Sequence, residues 1–134
     1  MGGYGAFKLV LKHPDQYCAG ISLSGVLDVV SAMRTPTIKE LNFTPIFGDI
    51  ARLEGSENDL FSLMRKMRDM QVLQPRLFAA CGTEDDLVHM NRKFVDTAKK
   101  QGIPLTYQEF PGVHNWEFWD MTIQIALKWL FESG

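Results

Sequence analysis

Apolar and polar positions switch along this chain between a helical period and short apolar runs, and the switching predicts its elements. Gly2 to about Lys12 reads as a helix with a small-residue start, stopped at His13-Pro14 because the residue before proline avoids the helical region. Tyr17 to Ser24 is an apolar run ending at Gly25, as in a buried parallel strand. Residues 26–55 lose regular period, with one short helix expected from Thr35 as N-cap, Pro36 at N1 and Glu40 beyond. Such a stretch above a strand's carboxyl end suits a pocket wall or cap.

Ser56-Glu57-Asn58-Asp59 supplies a cap and first-turn acids for the next helix, with Leu60, Leu63, Met64, Met67 and Met70 on its inner face. Arg65, Lys66 and Arg68 complement its C-terminal end. Arg76 to Cys81 is a strand, followed by a helix with Met90, Phe94 and Ala98 inward that ends at Gly102. Leu105 to Phe110 alternates apolar and polar, as near a sheet edge. Trp116, Trp119, Ile123, Ala126, Leu127 and Leu130 make the apolar stripe of a last helix. Strands interleaved with helices imply an α/β fold: a parallel, doubly wound sheet flanked by helices.

Ligands of such sheets sit beyond the carboxyl ends of the strands, and two of those ends carry chemistry. Cys81-Gly82-Thr83-Glu84-Asp85-Asp86 presents carboxylates after one strand, and Pro111-Gly112-Val113-His114-Asn115-Trp116 presents an imidazole after the next. At the start, Met1-Gly2-Gly3-Tyr4-Gly5-Ala6 reads as the second half of a nucleophile turn G-x-S-x-G, with Met1 directly after the serine and Gly2 as its last glycine. Serine, acid, histidine is the chain order of α/β-hydrolases. The histidine would take the serine proton, and the acid would hold its tautomer.

The bland readings stand beside this one. Asp85 and Asp86 could merely cap the following helix, but Asp85 completes G-x-x-D from Gly82 and is the preferred acid. Glu84 reads as a solvated loop charge, and His13 and His89 as surface residues. Ser22 and Ser24 lack glycines two residues away on both sides, so they read as strand-end hydroxyls supporting the pocket floor. Cys81 follows a strand without a nucleophile turn. The methionine stripe reads as core packing.

Composition narrows the classes further. Hydrophobic residues at 46% and charged residues at 22% of 134 are globular values that argue against disorder. A formal charge of -2 offers no basic stripe for nucleic acid or an anionic membrane, and the apolar stretches are too short to span a bilayer. Cys18 and Cys81 read as buried free thiols of a reducing compartment, hence cytoplasmic. The three histidines are scattered without ligand spacing, and the glycines do not complete G-x-G-x-x-G, so neither metal nor cofactor is expected.

Four segments carry a resemblance: Met1-Gly2-Gly3-Tyr4-Gly5-Ala6, Ser22-Leu23-Ser24-Gly25, Cys81-Gly82-Thr83-Glu84-Asp85 and Gly112-Val113-His114-Asn115-Trp116-Glu117-Phe118-Trp119. Together they resemble the tributyrin-esterase group of α/β-hydrolases, which is similar to S-formylglutathione hydrolases (esterase D) and to feruloyl and acetyl-xylan esterases. The resemblance covers essentially the whole chain. It implies a serine carboxylesterase of short acyl esters that works without a cofactor. Asp85 is then the triad acid, His114 the base, and Met1 the residue whose backbone N–H is one oxyanion-hole donor.

On this resemblance, residues 1–134 are the C-terminal part of one α/β-hydrolase domain, beginning just after the nucleophile serine. The expected partners are a small-molecule ester and the N-terminal half of the domain; association with a second copy stays open. The competing reading is a non-catalytic remnant or interaction module.

Overall fold

The computed structural model describes residues 1–36 and 43–132. Helix α1 (Gly2–Lys12) leads into strand β1 (Ala19–Leu23), and then come two short helices, α2 (Val29–Met33) and α3 (Thr44–Phe47), and a 3-10 turn over Ile50–Arg52. Helix α4 (Leu60–Asp69), strand β2 (Arg76–Gly82), helix α5 (Val88–Lys100), strand β3 (Leu105–Phe110) and helix α6 (Trp116–Glu132) complete the order.

The strands form a parallel sheet in the order β1-β2-β3, with Ala19 opposite Arg76 and Leu77 opposite Leu105. Alternate β2 side chains feed opposite faces. Leu77 and Ala79 join Phe7, Met64 and Phe94 in the larger core beneath α1, α4 and α5. Phe78 and Ala80 face Ala126, Ile125 and Trp129 of α6. This is the expected doubly wound layering, and it aims the carboxyl ends of all three strands the same way.

Sequence accounts for most boundaries. Helix α1 ends at Lys12 because Pro14 follows, and β3 keeps its predicted span at the edge of the described sheet. Gly3 lets α1 lie close on β1: a Cβ there would overlap the Ser22 hydroxyl and come within 2.9 Å of Gly25 Cα. Helix α4 starts later than the acidic cluster suggested, at Leu60, since Asp59 is the true cap and accepts from Phe61 N–H at 3.1 Å.

Other expectations need correction. The short helix expected after Thr35 falls on 37–42, outside the described residues. Within 26–55 the described part is more regular than expected, with α2 capped by Asp28, whose carboxylate accepts from Ser31 N–H. Cys18 precedes β1 and is exposed; only Cys81 is buried. Met70 is half-exposed just beyond the end of α4. On α6 the buried residues are Phe118, Thr122 and Ala126, whereas Trp116, Ile123 and Leu127 are exposed. Phe118, Thr122 and Ala126 are spaced four apart and share one helix face, and of the expected stripe Ala126 is the buried member.

Candidate active site

The carboxyl ends of β2 and β3 place two loops side by side, and backbone hydrogen bonds lace them together. Thr83 N–H donates to Phe110 C=O at 2.9 Å, and Glu84 N–H donates to Gly112 C=O at 3.1 Å. Gly112 N–H returns the bond to the Glu84 carboxylate at 2.9 Å. Glu84 is therefore more than a solvated charge: its hydrogen bonds from Thr83 and Gly112 hold its pKa below the usual carboxylate range. Glycine at 82 is required by this approach, because a Cβ there would overlap the Gly112 carbonyl.

Those loops bring Asp85 and His114 into contact. His114 Nδ1 lies 3.0 Å from Asp85 Oδ2, and the Asp85 side chain is 1% exposed against 47% for His114. The other Asp85 oxygen accepts from Leu87 N–H at 2.8 Å, so the carboxylate cannot rotate freely. A carboxylate accepts, which makes Nδ1–H the donor and leaves the Nε2 lone pair for chemistry. Asp86 is exposed. His13 lies half-buried just beyond α1, and His89 is exposed on α5.

Asn115 turns the chain from the histidine into α6, its Oδ1 accepting from Phe118 N–H at 3.0 Å. The His114 ring meets the Trp119 indole edge-on, with centroids 4.8 Å apart and planes at 88°. Trp119 meets Trp116 likewise at 5.1 Å and 86°. Trp119 Nε1–H donates to Ser24 Oγ at 3.1 Å. Ser22 is fully buried between Gly3 and Gly25, so its hydroxyl is remote from solvent. Asn91, which sequence reasoning passed over, ties α5 to the β1 end by donating to Gly25 C=O at 3.0 Å. Nothing in its sequence context marks that bond.

Beside the pair opens a cavity of about 770 Å³, lined by Met1, Val26, Met33, Phe43, Met90 and Val113 together with Asp85 and His114. Its wall is largely aliphatic and thioether, suited to an uncharged organic group. Met1 precedes the first turn of α1, whose free N–H groups and dipole favour negative charge at this rim. Cys81, next to the acid loop, is fully buried, and burial, with the Asp85 charge adding, pushes its thiol up to about 12, away from the reactive thiolate. Among the described residues no group of three or more His, Cys, Asp or Glu could hold a metal ion. None of the described helices is long and apolar enough to cross a membrane.

Comparison with known proteins decides the family. The family model described as prolyl oligopeptidase family matches residues 1–116. The chain belongs to that family. It is 33% identical over 136 residues to an acetyl esterase of Caldicellulosiruptor saccharolyticus, covering 97% of this chain and 51% of that protein. Among solved structures, S-formylglutathione hydrolase of Staphylococcus aureus is 30% identical with a TM-score of 0.83, over 96% of this chain and 50% of that one. The fluorophosphonate-binding serine hydrolase F of the same organism gives 28% and 0.86, again over 96% and 50%. The chain thus spans about half the length of the relatives it matches. The fold is that of α/β-hydrolases, and the relatives are esterases and serine hydrolases.

Proposed function

We propose that this chain carries the base and the acid of a serine carboxylesterase acting on short-chain acyl esters. The observation that carries the reading is the buried Asp85 carboxylate paired with the Nδ1 of a half-exposed His114 beside an apolar cavity. In this account His114 Nε2 takes the proton of a serine hydroxyl as that oxygen attacks the ester carbonyl. The imidazolium formed is stabilised by Asp85 and then protonates the leaving alcohol. Water, activated by the same nitrogen, hydrolyses the acyl-enzyme and regenerates the serine.

The serine belongs to the segment that precedes Met1 in the complete domain, of which residues 1–134 form the C-terminal part. Supporting this, the start of α1 lines the same cavity as His114, and Ser24 is engaged by Trp119. The Met1 N–H, when part of a peptide bond, is one donor to the oxyanion, backed by the α1 dipole. Val26, Met33 and Phe43 form one wall of the acyl site. The 33% identity to an acetyl esterase favours a short acyl group.

Fluorophosphonate labelling followed by peptide mass spectrometry tests the reading on the complete domain. The label should fall on a serine outside residues 1–134. A label on Ser22 or Ser24 contradicts it.

A further inference from the structure

A hydrogen bond at Nδ1 fixes one point of an imidazole but not its plane, and a base must aim Nε2 at a hydroxyl. His114 sits on an exposed loop with 47% of its side chain open, so something else must hold the ring. The ring that meets it is Trp119, perpendicular to it at 4.8 Å. Edge-to-face is one of the favoured arrangements of aromatic pairs, so the indole in this position supports the imidazole in the plane it holds.

Trp119 is itself pinned. Its Nε1–H donates to Ser24 Oγ at 3.1 Å, across 95 residues of sequence, and Trp116 packs on it at 5.1 Å. Ser24 is the non-glycine residue with positive φ among the described residues, at 55°, and it is 2% exposed. That conformation is disfavoured for any residue with a Cβ, and such strain persists only where surroundings over-determine it. Here Ser24 N–H is tied to Ala80 C=O at 2.8 Å at the end of β1, which turns the hydroxyl under the indole. The strained serine serves as a fixed post, and the tryptophan transmits its position to the histidine.

We infer that Trp119, pinned by Ser24, is a positioning residue that sets the plane of the His114 imidazole. The inference rests on the reading of His114 as the base, but its test does not depend on turnover. With histidine-selective ¹⁵N labelling of the complete domain, the ring signals of His13, His89 and His114 are assigned by single substitutions. Trp119→Phe keeps an aromatic ring and removes the donor; Ser24→Ala keeps the ring and removes the acceptor. Each should speed exchange of the His114 Nδ1 proton with water by about fivefold, the factor of one net hydrogen bond. Each should also move both ring nitrogens toward tautomer-averaged shifts.

Trp129→Phe is the control. It removes a comparable bond, to Thr106 Oγ1 at 3.2 Å, further along the same helix, and should leave the His114 signals in place. His114 signals unchanged by both Trp119→Phe and Ser24→Ala, or moved as far by Trp129→Phe, overturn the inference. Ester hydrolysis by His114→Ala in the complete domain judges the base assignment separately, since a silent result there removes the catalytic reading without touching the ring placement.

Discussion

Asp85 and His114 stand 29 residues apart in sequence and meet at 3.0 Å, oxygen to Nδ1, beyond the ends of neighbouring parallel strands. Asp85 is buried and keeps its second oxygen on Leu87 N–H, so the pair is oriented as well as close. If this carboxylate sets the histidine tautomer, Asp85→Asn lowers kcat about 10⁴-fold while the fold is retained. Asp86→Asn, at an exposed position, stays near the parent rate. Steady-state kinetics on the complete domain, with circular dichroism for folding, check both; equal losses would shift the acid role away from Asp85.

A second expectation concerns Gly82. A Cβ there would overlap the Gly112 carbonyl, which also accepts from Glu84 N–H. Gly82→Ala should therefore push the acid and histidine loops apart and destabilise by roughly 1–3 kcal/mol, as overpacking does. Thermal melting would register the loss, and a fall in kcat larger than that in KM would locate it at the pair. An unchanged melting temperature would mean that the loops approach less closely than described.

The two thiols should behave oppositely. Cys18 is exposed, whereas Cys81 is buried with its pKa pushed up to about 12 by burial and then by Asp85. In the folded complete domain a disulfide-exchange reagent at neutral pH should modify Cys18 and spare Cys81 until denaturation, as peptide mass spectrometry would read. Rapid reaction of both in the folded state would contradict the packing of β2.

Acid should reveal the Asp28 contact. Burial opposes its ionisation, but hydrogen bonds from Lys93 and Ser31 win and hold its pKa below the ordinary value. The folded pKa thus lies below the unfolded one, so the carboxylate stabilises the chain fully above about pH 4. That contribution disappears as pH falls through the depressed value. Urea midpoints of the parent and Asp28→Asn should differ near neutrality and converge in acid. A gap that persists unchanged through acid would show that the carboxylate charge contributes nothing.

How much of this was legible in the sequence follows from what each signal measures. Pro14 announces the end of α1, and strict alternation announces β3, because both act through local backbone and period. The segments after β2 and β3 were legible as strand-end loops, and Asp85 and His114 lie on them. What stayed hidden was tertiary. Ser24 looks like an ordinary strand-end serine, and nothing local foretells its positive φ or its bond to Trp119. Glu84 looks solvated until the histidine loop arrives beside it. The stripe on α6 was legible only in part: Ala126 packs as its place in the stripe suggests, whereas Phe118 and Thr122 are buried outside it and Trp116 and Leu127 are exposed.

In the proposed mechanism His114 is the base acting on a serine supplied from outside residues 1–134. The most direct measurement is p-nitrophenyl acetate hydrolysis by the complete domain, comparing His114→Ala with His89→Ala. His114→Ala should lose about 10⁴-fold or more in kcat with folding intact, and His89→Ala should keep a near-parent rate. A folded His114→Ala variant that still turns over at the parent rate would contradict it.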